Sequence, residues 1–89
     1  MLNSSLLIIN KLGLHARAAA KFVNVASHYG CTIRVKYGEK EVDGKSIMSI
    51  MMLAAAKGAT LEITASGTDE KAAIDALTQL ITNRFDEGE

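Results

Sequence analysis

The hydrophobic pattern of this chain switches back and forth between two periods, and that switching limits the folds open to it. From Ala16 onward, Ala19, Phe22, Val23 and Ala26 recur at helical spacing and share one face. Cys31, Ile33, Val35 and Tyr37 then alternate with Thr32, Arg34 and Lys36, the pattern of a strand with one dry and one wet face. Helical spacing returns with the stripe Ile47, Ile50, Met51 and Ala54. Leu61, Ile63 and Ala65 alternate again. Ala73, Leu77 and Leu80, joined by Ala76 and Ile81, give a last helical face. Such a chain has to bury half-dry strands beneath one-sided helices.

The breaks fall where the periods change. Leu6 to Ile9 is a short apolar block that reads as a buried strand, ended by Asn10-Lys11-Leu12-Gly13. Gly30 is placed to stop the first helix as a C-terminal cap. Gly38 permits a turn, so that Lys40 to Val42 can return as a short antiparallel partner. Asp43-Gly44-Lys45 is a second break, after which Ser46 caps the second helix. Lys57 and Gly58 mark that helix's end. Ser66-Gly67-Thr68 reads as a loop with a cap, and Asp69 and Glu70 occupy the first turn of the last helix, where the dipole favours negative charge. The acidic tail from Asp86 to Glu89 is expected to fray. The order β-α-β-β-α-β-α, four strands with helices on one face, defines a two-layer α+β domain spanning residues 1–89.

Composition excludes several function classes. At 89 residues the chain is one domain's worth, and 48% hydrophobic residues exclude disorder. Ten basic and ten acidic residues give no net charge, so the basic excess of a nucleic-acid binder is missing. Cys31 is the one cysteine, which forbids an internal disulfide and suits a reducing cytoplasm. Met1-Leu2-Asn3-Ser4-Ser5 has no signal-peptide character, and no apolar run is long enough to span a bilayer. A cytoplasmic protein without membrane or nucleic-acid partners is expected.

The chemistry concentrates at Gly13-Leu14-His15-Ala16-Arg17, where a strand gives way to a helix. His15 falls at the N-cap or first turn. Backbone N–H groups there lack helical acceptors, and the positive end of the dipole points outward, an arrangement that attracts phosphate. Arg17 adds a fixed charge whose planar fork suits phosphate oxygens. A neutral imidazole nitrogen is a good nucleophile near pH 7. Position alone also fits a surface histidine or a simple cap, and His-x-Arg spacing by itself is a weak signal.

The segment carries more than spacing. Asn10 to Val23, Asn-Lys-Leu-Gly-Leu-His-Ala-Arg-Ala-Ala-Ala-Lys-Phe-Val, resembles the active-site segment of the HPr family, the phosphocarriers of the bacterial phosphotransferase system. Gly44-Lys45-Ser46-Ile47-Met48-Ser49-Ile50-Met51 resembles that family's regulatory-serine segment, and Lys57-Gly58-Ala59 and the last amphipathic helix also fit. The alanine-rich first helix and the Arg84-Phe85-Asp86-Glu87 ending look most like the nitrogen-related branch, NPr. The resemblance implies an open-faced β-sandwich with a four-stranded antiparallel sheet and three helices on one face. It implies that a phosphoenolpyruvate-dependent Enzyme I phosphorylates His15 at Nδ1, that Arg17 steadies the phosphate, and that the carrier passes it to a histidine on an Enzyme IIA protein. The carrier is expected to act as a monomer, to turn over no small molecule itself and to need no cofactor or metal. Ser46 becomes a candidate for a regulatory kinase as well as a cap. The family often has proline just after the arginine of its motif. Ala18 stands there in this chain, removing a rigid residue and restoring one backbone N–H.

Other features support less. Gly44-Lys45-Ser46 echoes the end of a P-loop, but Glu39 stands where that motif needs glycine. His28 reads as solvent-exposed and Cys31 as a buried strand residue, with too few neighbours for a metal site. Met51 belongs to the buried stripe of the second helix and also borders the partner surface. Met48 and Met52 lie to one side of that stripe, and exposed methionines suit a surface that meets several partners. Ile47, Met48 and Met51 are therefore the residues assigned to a partner-binding patch beside His15. Two competing classes are an RNA- or effector-binding module using the open sheet face, and a regulator that carries no phosphate. The first wants stacking aromatics on the sheet, where only Tyr37 is available.

Overall fold

The structure is a computed structural model and describes residues 1–86. Its elements are β1 (Leu2–Leu7), α1 (Ala16–Ala26), β2 (Thr32–Tyr37), β3 (Lys40–Asp43), α2 (Ile47–Met52), β4 (Thr60–Ser66) and α3 (Glu70–Thr82), followed by a 3-10 turn, Arg84–Asp86. The strands form one antiparallel sheet in the order β1-β4-β2-β3. The three helices cover one face of the sheet, so the element order and the open-faced α+β architecture read from the sequence are those of the fold.

The alternating residues meet across the strands. Leu6 stands opposite Leu61, Val35 opposite Ile63, and Ile33 opposite Ala65, and all of them are buried. Against this surface α1 sets Ala18, Ala19, Phe22 and Ala26, and α3 sets Ala73, Ile74, Leu77 and Ile81. Leu80 and Ala76 lie at the margin and are only partly buried. Helix α1 also packs on α2 and α3, and Phe22 is fully buried in the core between these elements. Phe85 also enters the core, held by a left-handed backbone at Arg84 and Phe85 and by Lys21, whose ammonium donates to the Phe85 carbonyl. The expected frayed tail lies, beyond Asp86, outside the described residues.

Several local expectations need correction. The first strand is not the block Leu6 to Ile9. It runs from Leu2 to Leu7, because β4 offers partners from Ala65 to Thr60, and its outer residues Asn3, Ser5 and Leu7 face solvent. Gly30 is no left-handed cap; α1 ends at Ala26 with Ser27 as its C-cap. Tyr37, the last residue of β2, is exposed. The second helix stops well before Lys57. Leu53 turns inward as its C-cap, Ala54 takes a positive φ of 52°, and Leu53 and Ala55 are buried. Burying those two side chains outweighs the helix propensity of the alanine run. The shorter helix buries Ile50 alone, so Ile47, Met51 and Ala54 of the expected stripe are exposed.

Candidate functional site

The loop before α1 is tied down residue by residue. Ile8 stays paired beyond β1, donating to the Ala59 carbonyl and accepting from the Gly58 N–H, both at 2.8 Å. Asn10 is fully buried, and its side-chain amide donates to the Gly13 carbonyl at 2.8 Å. Gly13 turns at φ 66°, and a Cβ there would lie 2.6 Å from the Ala55 carbonyl oxygen. Leu14, buried, donates its N–H to that same carbonyl at 2.9 Å. The loop is thus pressed against the segment that follows α2. The sequence marks Asn10 only as part of a break; its burial and its bond to the Gly13 carbonyl arise in the folded loop and carry no local signal.

His15 follows as the N-cap of α1, with an extended backbone (φ −76°, ψ −179°). Its carbonyl accepts the first helical bond, from Ala19 N–H at 2.8 Å. Its Nδ1 accepts from the Arg17 N–H at 3.3 Å. Ala16, Arg17 and Ala18 supply the first-turn N–H groups, which have no acceptor within a helix. No acidic residue stands in this first turn. His15 is half-buried and Arg17 exposed. A ring-nitrogen lone pair is therefore aimed at the positive end of a helix, with a guanidinium two residues on.

Ser46 caps α2 as expected: its Oγ accepts from the Ser49 N–H at 3.3 Å. Beside it, the Lys45 ammonium donates to the Tyr29 carbonyl at 2.7 Å, joining this turn to the one that follows α1. Helix α2 packs against α1 and carries no charged residue. Its outer surface shows Met48 and Met52 at 68% exposure, Ile47 at 42% and Met51 at 37%, and Leu12 in the loop before His15 is 67% exposed. The cations Lys11, Arg17 and Lys57 lie within five residues of Leu12 or Met52 along the chain, and no acidic residue occurs between Ile8 and Gly38 or between Gly44 and Leu61.

Known proteins show the family to which the chain belongs. A family profile described as "PTS HPr component phosphorylation site" matches residues 2–83. This chain belongs to the HPr family. HPr of Pseudomonas aeruginosa is 63% identical over 83 residues, covering 92% of each chain. NPr of Shewanella violacea is 41% identical over 80 residues, covering 90% of this chain and 88% of its own. The crystal structure of HPr-C-His from Thermoanaerobacter tengcongensis superimposes with a TM-score of 0.94 at 45% identity, covering 98% of both chains. Membership of that family makes phosphocarrier of the phosphotransferase system the role these likenesses support.

The remaining residues of this chain take structural places. His28 is exposed, with Nδ1 2.6 Å from the Asn24 carbonyl. Cys31 is buried just before β2, and burial pushes its thiol pKa up, with a hydrogen bond to Asp69 acting the same way. Among the described residues no group of His, Cys, Asp and Glu could hold a metal ion, and no helix is long and apolar enough to cross a membrane. On the open face the registers set Ser5, Glu62, Lys36 and Glu41 in one row and Asn3, Thr64, Arg34 and Asp43 in the next. Each cation there has acidic or hydroxyl neighbours across the strands, and neither row contains an aromatic residue. That face offers no stacking platform for RNA.

Proposed function

We propose that His15 is the phosphoryl acceptor, that Enzyme I loads it from phosphoenolpyruvate, and that an Enzyme IIA protein unloads it. The observation that carries this reading is the capping contact: the Nδ1 of His15 faces the Arg17 N–H at the start of α1. Attack uses that same lone pair. The Nδ1–phosphorus bond forms as the bond between phosphorus and the donor group on Enzyme I breaks, and the capping bond must open. At 3.3 Å it is a long bond that gives way at small cost. The first-turn N–H groups and the Arg17 guanidinium then receive the phosphate oxygens, which are stronger acceptors than the ring. Handing the group to a histidine of Enzyme IIA reverses these steps. The carrier supplies a nucleophile and an anion site and needs no cofactor.

The exposed, uncharged surface of α2 with Leu12 is the docking face in this reading, bordered by cations that favour partners with acidic residues at their rim. Ser46 phosphorylation by a serine kinase would set a double negative charge at the edge of that face while remaining acceptable to the N-terminus of α2. The nitrogen-related branch is our preferred assignment, on the alanine-rich α1 and the Arg84-Phe85-Asp86-Glu87 ending, of which Glu87 lies outside the described residues. Sugar uptake is the second reading, favoured by the higher identity to a relative named HPr than to one named NPr. Location in the cytoplasm and action as a monomer complete the proposal.

One experiment tests the reading. The protein is mixed with phosphoenolpyruvate and purified Enzyme I of either branch, and peptide mass spectrometry locates the phosphate. Loading on His15 is expected, faster with the nitrogen-branch enzyme. Loading elsewhere, or by neither enzyme, overturns the acceptor assignment; faster loading by the sugar-branch enzyme overturns the branch.

A further inference from the structure

The docking face has an unusual composition for a surface that must pass through water. The sequence of α2 is Ile-Met-Ser-Ile-Met-Met, and its most exposed side chains are Met48 and Met52. They are four residues apart, so they lie on one side of the helix, one turn above the other. With no charge on α2, the methionines themselves hold a partner by apolar burial, and charge acts only at the border of the patch. The thioether is also the group most readily changed on such a surface. A peroxide oxidises it by two electrons: the O–O bond breaks, one oxygen bonds to sulfur as a sulfoxide, and the other leaves as water. The product is a polar, chiral side chain in place of a flexible apolar one.

The other oxidisable sulfur group is shielded. Cys31 is buried, and its surroundings raise the thiol pKa, so little thiolate is available to react. A peroxide therefore meets the methionines of the docking face before the cysteine. Met1 is also exposed, but it lies at the start of β1, and Met51 is the more covered of the α2 methionines.

We propose that Met48 and Met52 form a reversible oxidation site, through which a peroxide lowers the carrier's affinity for its phosphotransferase partners without touching His15. This rests on the docking reading of α2 given above. A sulfoxide in an apolar interface must give up water without a matched partner, which weakens association by about tenfold. Because the histidine and its helix start are unaltered, the loss appears in KM for the carrier rather than in kcat. A methionine sulfoxide reductase, with a thiol reductant, takes the oxygen back and restores the thioether.

The test uses the full chain. It is treated with hydrogen peroxide, and peptide mass spectrometry reads each methionine and Cys31. Oxidation of Met48 and Met52 ahead of Met51 and Cys31 is expected. Enzyme I-catalysed loading from phosphoenolpyruvate is then measured at varied carrier concentration. KM is expected to rise about tenfold with kcat kept, and to return after reductase treatment. The paired variant Met48→Leu with Met52→Leu, compared with itself before and after peroxide, is expected to lose the response. An unchanged KM in a chain fully oxidised at both positions overturns the inference, as does a response that persists in the leucine variant. If the untreated chain is not loaded on His15 at all, the functional reading fails and takes this inference with it. Loading that peroxide leaves unaffected removes this inference alone.

Discussion

The carboxylate of Asp69 accepts the backbone N–H of Gly30 at 2.8 Å, joining the N-terminus of α3 to the turn that follows α1. Its other oxygen takes the Cys31 N–H at 3.0 Å. The sequence assigns Asp69 to the first turn of its own helix; the structure puts it at the N-cap position, where it makes no cap bond and serves a distant backbone instead. These contacts, the Gly30 bond first, hold the Asp69 carboxyl below the ordinary aspartate pKa. A lowered folded-state pKa means that the stability from Asp69 is complete above the ordinary value of about 3.9 and is lost as pH falls through the lowered one. Urea midpoints measured from pH 7 down to pH 2 should therefore fall in the acid range. Asp69→Asn should have a lower midpoint at pH 7 and a flatter acid profile, since an amide has one acceptor oxygen for two N–H donors.

Gly13 fixes the height of the loop before His15. Its positive φ and the 2.6 Å approach of a Cβ to the Ala55 carbonyl leave no room for a side chain. Gly13→Ala should cost about 2 kcal/mol or more in urea unfolding. It should also slow loading of His15, because the Leu14–Ala55 bond that seats the loop lies one residue on. A variant that unfolds like the parent would show that the loop adapts.

What the sequence made legible follows from what is local. The alternation of β2 and β4 could be read because each strand has one dry face, and α1 because Ala19, Phe22 and Ala26 mark one stripe. The histidine cap was readable because helix starts are set by neighbouring residues. The end of α2 was not, because Ala54 to Ala56 favour helix while the burial of Leu53 and Ala55 and the bond from Leu14 pull the chain away. The contacts of Asp69 were invisible for the same reason: its partners are backbone groups far along the chain. The edge position of β1 could not be read from one apolar block, since it depends on where β4 ends.

At the site, His15→Ala should abolish phosphate uptake in the Enzyme I assay. It should lower stability by about 1 kcal/mol, the usual effect of losing a side-chain cap, here a long bond at 3.3 Å. Thermal melting alongside the assay separates the two effects.

Arg17 is exposed and lies in the first turn, so its side chain can leave without opening the core. Arg17→Ala should keep the melting temperature and slow loading by about a hundredfold, as expected for losing one preorganised donor at a transferring phosphoryl group. Arg17→Lys should recover part of the rate, because it keeps the charge and loses the planar fork. Stopped-flow loading rates equal to the parent's in the alanine variant would remove Arg17 from the site.

Ser46 separates cap from regulation, because substitutions there move the two in different directions. Ser46→Ala removes the acceptor for the Ser49 N–H and should cost about 1 kcal/mol. Ser46→Asp keeps an acceptor at the cap and places a negative charge at the helix start, so its stability should stay within about 0.5 kcal/mol of the parent. The same aspartate stands at the edge of a face whose helix is uncharged and whose neighbouring cations call for an acidic partner. Loading by Enzyme I should therefore slow in Ser46→Asp and stay near the parent rate in Ser46→Ala, the reverse of their order in stability. That crossing, read from urea unfolding beside loading rates at low and high salt, assigns the effect of a phosphate on Ser46 to docking. Parallel losses in both measurements would assign it to the helix cap.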